Sequence, residues 1–347
     1  MLGSVVGIQA ALQARIDQER TPATALRVMT ISDMHLAAHY PLVAQYAANY
    51  GVDLVVNAGD ESEFGTREEL TPAYLDGVRA LTATTPMLWI AGNHDSPATV
   101  EIMRSVPGVT VLGSKTETGD GYAVTAGVVS AFGLRIAGLS DPRVYGASGA
   151  YGADDTSVTD PLERAAVAAA VGPAGSADAS STSAPPDGDA AAQPTGAEPV
   201  DVFVTHEPVA AKAVRRALTD QVRETVSGHV HAQNKSGSVQ DGDEAIDLVE
   251  GSTGAGGLDN IVRGTERPPI EFSIESVGED CQFTRVIRFS IAASTDTGTA
   301  GATGSTPQAY GDDVTAATVY FRPQPIPANR TCGTQLGITD EQPWPAT

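Results

Sequence analysis

An α/β fold is predicted for this 347-residue chain by three observations. From Leu26 onward, short apolar strand-like runs alternate with amphipathic helix-like runs, the pattern of βαβ units with right-handed crossovers. Five of the six histidines fall in short motifs shared with Asp, Asn and Gly. Each motif directly follows a strand-like run, and open α/β sheets bind their ligands at that carboxyl edge.

The elements follow in order. Leu26–Ser32 reads as a buried strand, Leu42–Tyr50 as a short helix and Val52–Asn57 as a second strand. Thr71–Thr84 is a helix behind a Thr cap, and Pro86–Ala91 is a third strand. A further helix starts near Pro97 behind Ser96. Val109–Leu112, Tyr122–Thr125 and Val128–Leu139 read as strands of a more antiparallel region, with a turn near Phe132-Gly133. Asp160–Val171 is Ala-rich and helical. Gly172–Pro199 carries almost nothing large and apolar, so it cannot offset its ordering entropy and is expected to be a disordered insertion. Val200–Val204 resumes as a strand, followed by a helix over Pro208–Leu218 and a short strand over Thr225–Ser227. Strands follow at Ala245–Glu250, Ile270–Ser276, Phe283–Ile291 and, after a Gly/Thr/Ser-rich loop over 294–312, at Ala316–Phe321. The domain reading is an N-terminal helical segment over 1–25, a main domain over 26–293 that contains the insertion, and a C-terminal extension over 294–347 packed on it.

Composition narrows the function classes. The net charge of −22, from 43 acidic and 21 basic residues, repels phosphate backbones and disfavours general nucleic-acid binding. No apolar run approaches the roughly 18–20 residues that span a bilayer. Met1–Ala14 is mildly apolar, but no Lys or Arg precedes it, so it fails as a secretory signal. Val5, Ile8, Leu12 and Ile16 have helical spacing instead. The chain is expected to be soluble, with no anchor of its own. Cys281 and Cys332 lie outside every motif. They read either as one disulfide closing a long loop, contributing about 4 kcal/mol, or as two separate thiols, with the disulfide favoured.

Asp33-x-His35, at a strand end, brings a carboxylate and an imidazole to one side of a turn. Gly59-Asp60 places a carboxylate where its two oxygens can touch two ions. Glu61 and Glu63 beside it read as loop acids or supporting groups. In Gly92-Asn93-His94-Asp95, Asn93 offers a neutral carbonyl oxygen, His94 projects toward substrate, and Asp95 is placed to hydrogen-bond the His94 ring. His206 follows another strand. In Gly228-His229-Val230-His231, residues i and i+2 of an extended segment point the same way, toward adjacent ions. His39 matches no motif and reads as a helix-start residue. Nitrogen and oxygen donors without cysteine suit a hydrolytic site for two divalent metals.

In content and order these blocks, from residue 33 to residue 231, resemble the calcineurin-like metallophosphoesterase superfamily. The resemblance implies a four-layer α/β/β/α sandwich of two mixed sheets flanked by helices. It implies one metal held by Asp33, His35, Asp60 and His231, and another held by Asp60, Asn93, His206 and His229, with His94 and Asp95 as the catalytic pair. Two ions roughly 3.5–4 Å apart lower the pKa of a shared water from about 15.7 toward neutrality, giving the nucleophile for in-line attack on phosphorus. Mn²⁺ or Fe²⁺ is favoured, with Zn²⁺, Ni²⁺ or Mg²⁺ as alternatives.

The expected activity is hydrolysis of a phosphodiester. A phosphomonoesterase, a pyrophosphatase and a non-catalytic metal-dependent scaffold are the competing readings. The substrate is expected to be a small phosphoester or a lipid phosphate. Membrane association stays open, and an extracytoplasmic face is favoured over the cytoplasm by the acidity and the cysteine pair. Substrate choice is expected in loops Ser62–Glu69, Ser140–Tyr151 and Gly251–Leu258. Arg143 reads as a phosphate clamp or a surface arginine. Gly251–Gly257 reads as an ordinary turn or a phosphate-approaching loop.

Overall fold

Alternation of side chains along the parallel strands decides the layering. In the computed structural model, which describes residues 23–119, 121–172, 199–240, 245–257, 268–292, 313–324 and 330–344, fourteen strands numbered in chain order form two sheets. The helix expected before Leu26, the interior of the 172–199 insertion and the 294–312 loop lie outside these residues.

In the first sheet β1 (Thr24–Ile31), β2 (Leu54–Asn57), β3 (Met87–Trp89) and β4 (Val109–Val111) run parallel. On the other side of β1 the sheet continues antiparallel through β11 (Ile270–Gly278), β12 (Phe283–Ile291) and β13 (Val314–Tyr320). The second sheet has a parallel block of β7 (Leu134–Leu139), β8 (Val200–Thr205), β9 (Val222–Ser227) and β10 (Ile246–Val249). Beyond β7, β6 (Gly121–Ala131) runs antiparallel and pairs with β5 (Ser114–Thr118) and the short β14 (Gln342–Pro343).

One side-chain parity of these strands packs sheet against sheet. Val28, Leu54, Val56, Leu88, Ile136, Val202 and Val204 belong to that middle core. The opposite parity of the first sheet, with Met29, Ile31, Val55, Met87 and Trp89, packs under α1 (Tyr40–Tyr50), α2 (Pro72–Thr82) and α3 (Pro97–Ser105). That of the second sheet, with Ala137, Leu139 and Phe203, packs under α4 (Thr156–Val171) and α5 (Pro208–Ala217). Three apolar layers between four layers of elements are the α/β/β/α sandwich. Strands buried on both faces read as continuous apolar runs, which is why they stand out in the sequence.

Local signals set the helix starts. Thr71 accepts from Tyr74 N, Ser96 forms a capping box with Thr99, and among the described residues four of the five helices α1–α5 carry proline in their first turn. Proline there gives up no intrahelical hydrogen bond. Two expectations change. Tyr122–Thr125 and the start of the Val128 run are one strand, β6, because pairing with β5 on one side and β7 on the other overrides the weak Ala126-Gly127 step. The helix expected from Asp160 starts at Thr156, capped by Asp155, and passes through Pro161. The Phe132-Gly133 turn is present, with both residues at positive φ, the geometry of a tight two-residue hairpin. Among the described residues no helix is long and apolar enough to cross a membrane.

Cys281, in the turn between β11 and β12, is disulfide-bonded to Cys332, with a Cα–Cα distance of 5.1 Å. Both are buried in the middle core. Closing a loop with a sequence separation of 51 limits the unfolded chain, so Cys281→Ala/Cys332→Ala is expected to lower the unfolding free energy by about 4 kcal/mol. Urea unfolding without reductant checks this. An unchanged midpoint would contradict it.

Candidate metal centre

Five parallel strands each end in one part of the site. The loop after β1 carries Asp33 and His35, that after β2 Asp60, and that after β3 Asn93, His94 and Asp95. From the second sheet, β8 leads to His206, and β9 to His229 and His231. Backbone hydrogen bonds stitch the loops together: Asp33 N to Gly59 O (2.9 Å), His35 N to Asp60 O (2.9 Å) and Gly228 N to His206 O (2.9 Å). Asp33, His35, Asp60, His229 and His231 all have φ between 43° and 68°. Such left-handed backbone costs about 1 kcal/mol or more per residue and persists where surrounding structure enforces it. Two motif glycines are explained by close approach. A Cβ on Gly92 would overlap the Asp60 carboxylate, and one on Gly228 would overlap Ser32 Oγ.

The seven residues expected to hold metal converge. His35 Nε2 lies 3.1 Å from His231 Nε2 and 3.5 Å from Asp60 Oδ2, and His231 Nε2 lies 3.3 Å from Asp33 Oδ1. On the other side, His206 Nε2 is 3.1 Å from Asp60 Oδ2, and His229 Nδ1 is 2.9 Å from Asn93 Oδ1. Asp33, His35 and His231 form one cluster with ligand atoms within 4.8 Å of one another, and Asp60, His206 and His229 form a second. Asp60 also clusters with His35 and His94, so its carboxylate stands between the two halves.

The His94–Asp95 pairing does not form. Asp95 is fully buried and its carboxylate accepts from the N–H groups of Asp60 (2.8 Å), Glu61 (3.0 Å), Ser62 (3.0 Å) and Gly92 (2.9 Å), and from Ser62 Oγ (2.8 Å). It binds the Asp60 loop to the Asn93 loop. The His94 ring is fixed instead by the carbonyl of Glu63, 2.5 Å from Nδ1. A carbonyl only accepts, so Nδ1 carries a proton and Nε2 is left for substrate. Tyr145 stacks on this ring at 4.6 Å, and its N–H donates to Asn93 O at 2.7 Å. The sequence reading missed Tyr145 although it lies in a loop expected to govern substrate choice.

Beneath Asp60, the fully buried Glu61 accepts from Tyr40 Oη (2.7 Å), Tyr74 Oη (2.5 Å) and Asn57 Nδ2 (3.0 Å). Burial pushes its pKa to about 7 in spite of the tyrosine hydrogen bonds. Glu63 places a carboxylate oxygen 3.5 Å from His35 Nδ1. Both are therefore supporting groups. His39 stands at the start of α1 as expected, but its side chain does not cap the helix: it is buried, with Nδ1 2.8 Å from Thr253 O.

One other reading is corrected, and one is narrowed to its turn alternative. Arg143 is neither a surface arginine nor a free clamp. It is buried and bonded to Asp141 (2.7 Å), Glu163 (3.2 Å) and Glu207 (2.6 Å). Residues Gly251–Gly257 fold against the Asp33 loop, with Thr253 N donating to Ser32 O (2.9 Å) and Gly254 N and Ser252 Oγ to Asp33 O (3.1 and 2.8 Å). These N–H groups hold protein, not phosphate. Lys115, on the unforeseen β5, is also buried and donates to Gly92 O (2.8 Å) and Arg143 O (2.6 Å), joining the loops after β3 and β7.

The charge balance tests whether metal fits. Burial would raise the Asp33 carboxyl, yet His231 holds it at about 2. Burial also works against ionised Asp60, but His206, His94 and His35 hold its pKa well below the ordinary range. Burial pushes His35 down to about 4, so at neutral pH it offers a lone pair. His206 donates from Nδ1 to Ala58 O (2.8 Å), and its buried Nε2, facing Asp60, makes no hydrogen bond. Burial disfavours charge there too, but Asp60 and Asp33 lift its pKa well above the usual value. The site thus demands positive charge between Asp60 and the imidazoles. Oxygen and nitrogen donors in this number fit divalent first-row ions.

A family model described as calcineurin-like phosphoesterase matches residues 26–233. Similar solved structures include a dimetal phosphatase from Danio rerio, 13% identical, covering 77% of this chain and 96% of that one with a TM-score of 0.42. Another is GAP50, the anchor in the inner membrane complex of Plasmodium, 9% identical, with coverage of 88% and 92% and a TM-score of 0.41. No curated protein matches the chain.

Removing the Asp95 carboxylate leaves four backbone N–H groups without their acceptor, each costing about 1–3 kcal/mol when buried. Asp95→Ala is expected to lower stability by at least about 3 kcal/mol. A shift of the urea midpoint at constant m-value measures it.

Proposed function

We propose that this chain, which belongs to the calcineurin-like phosphoesterase family, is a two-metal hydrolase whose substrate is a phosphodiester. The observation that carries the reaction class is Asp60, a buried carboxylate that shares one ligand cluster with His206 and His229 and another with His35. Asp33, His35, Asp60 and His231 would hold one ion, and Asp60, Asn93, His206 and His229 the other. When bound, the ions supply Lewis acidity and an activated water. Mn²⁺ or Fe²⁺ is the preferred pair, with Zn²⁺, Ni²⁺ or Mg²⁺ as alternatives.

The protein's own part is orientation and proton handling. Because the Glu63 carbonyl fixes Nδ1 of His94, Nε2 is the ring atom left toward substrate, and a proton carried there would neutralise a non-bridging oxygen or pass to the leaving oxygen. Tyr145, stacked against the ring, restricts its rotation. Asp95 acts by holding the backbone that carries Asp60 and Asn93, which makes it a positioning residue.

The surroundings support a diester. A monoester dianion calls for positive charge beyond the ions, but the guanidinium of Arg143 is engaged with three carboxylates. Phe64 and Val230 on ligand-bearing loops and Tyr145 on the loop after β7 are exposed, and this rim suits a singly charged phosphate with two organic substituents. A small phosphoester, a lipid phosphate among them, fits such a rim. A polyanionic nucleic acid is opposed by the charge of −22. The disulfide and the acidity support an extracytoplasmic setting.

Chelator-stripped protein restored with Mn²⁺ is expected to hydrolyse bis(p-nitrophenyl) phosphate in preference to p-nitrophenyl phosphate. His94→Ala is expected to lower kcat about 10²-fold or more. Failure of every first-row ion to give turnover of either probe would favour a binding scaffold, and preference for the monoester would reverse the substrate assignment. Asp60→Ala is expected to retain fewer than two ions by elemental analysis, and two tightly held ions would refute its shared role.

A further inference from the structure

Glu207 closes the Thr205-His206-Glu207 motif, and neither the ligand set nor the proton handling gives it a role. It stands at the start of α5 without capping that helix through its side chain. Its Oε1 lies 2.6 Å from Arg143 Nη2 and 3.0 Å from His229 Nε2. Arg143 is locked in turn, donating from Nη2 to Asp141 Oδ2 (2.7 Å) and from Nε to Asp141 Oδ1 (3.1 Å) and Glu163 Oε1 (3.2 Å). A chain of polar contacts therefore runs from α4, which carries Glu163, through Arg143 and Glu207 to the His229 ring.

His229 needs such support. Its side chain is 31% exposed, so packing alone does not fix the ring, and its backbone sits at φ 68°. An imidazole held at one nitrogen by a carboxylate must carry its proton there, because an ionised carboxylate only accepts. In the neutral ring the other nitrogen, Nδ1, is then an electron-pair donor, and it meets a second one, Asn93 Oδ1, at 2.9 Å, a juxtaposition that a shared cation would satisfy and a hydrogen bond would not. At His206 the assignment is reversed: Nδ1 donates to Ala58 O, leaving Nε2 toward Asp60. Two imidazoles of one ion site would thus present different nitrogens, each selected by the acceptor behind it.

We propose that Glu207, clamped by Arg143, is a positioning residue that binds Nε2–H of His229 and so turns Nδ1 toward the ion shared with Asn93, His206 and Asp60. The inference rests on the two-ion reading. Arg143 contributes by spending its charge on holding Glu207 in place rather than on substrate. Partners of this kind affect metal affinity about 10–100-fold when removed.

The test is calorimetric titration of the chelator-stripped full chain with Mn²⁺, comparing wild type, Glu207→Ala and Glu207→Gln. Wild type is expected to take up two ions. Glu207→Ala is expected to weaken one of them about 10–100-fold while leaving the other nearly unchanged. Glu207→Gln, which keeps an acceptor oxygen for His229, is expected to recover most of the loss. Nitrogen-15 NMR of the metal-free wild type is expected to find the His229 proton on Nε2. Two ions bound by Glu207→Ala with wild-type affinity would overturn the proposal alone, as would an equal loss at both sites or a His229 proton on Nδ1. Fewer than two ions in the wild type would overturn the two-ion reading itself, and this proposal with it.

Discussion

The structure depends on keeping two carboxylates, Asp33 and Asp60, ionised in a place that water does not reach. Each is almost wholly buried, and each meets imidazoles from the opposite sheet. Desolvation of a bare carboxylate costs more than a single surface ion pair returns, so such a site survives only where charge of the other sign is held close by. The loops do that holding. Their left-handed residues, their missing Cβ atoms and the acceptor role of Asp95 all serve to bring five strand ends within a few ångströms of one another. The middle core behind them fixes the two sheets face to face, and the outer helices bury the remaining strand faces.

Much of this was legible in the sequence, for identifiable reasons. Strands buried on both faces write themselves as apolar runs, and the ligand residues sit in motifs that follow those runs directly. What sequence does not display is the backbone. Adjacent letters suggest that His94 pairs with Asp95, whereas the ring's partner is the carbonyl of Glu63, which any residue would supply. The role found for Asp95 is likewise toward backbone N–H groups. Arg143 and Lys115 illustrate a different gap. Whether a cation faces solvent or is buried depends on which elements fold over it, and Arg143 is covered by α4, a helix whose start the sequence reading placed too late. The glycine run at 251–257 was open to two meanings because flexibility reads the same whether it admits a ligand or lets one loop lie flat on another.

The architecture also separates rigidity from adjustability. Behind the ligands, hydrogen bonds to Asp95 and Glu61 tie the loops of the first sheet to one another. Those loops meet the second sheet through fewer fixed bonds, among them His229 N to Asp33 and His206 Nδ1 to Ala58 O. Phe64 and Val230, on the outer rim, make no bond to the buried charges below them, whereas Tyr145 beside them is tied to His94 and Asn93.

The Cys281–Cys332 bond gives this separation a mechanical meaning. Cys281 lies in the turn after β11, whose last residue pairs with the first residue of β1. The residue after Cys332, Gly333, donates to Phe132 in the turn that opens β7. The disulfide therefore clasps the two sheets at the pole opposite the ligands, where the parallel strands begin. At the other pole each proposed ion would draw ligands from both sheets and act as a second clasp. One fastening is covalent and would answer to reductant, and the other, with ions bound, would answer to their concentration, so the two ends of the seam between the sheets would respond to different chemistry.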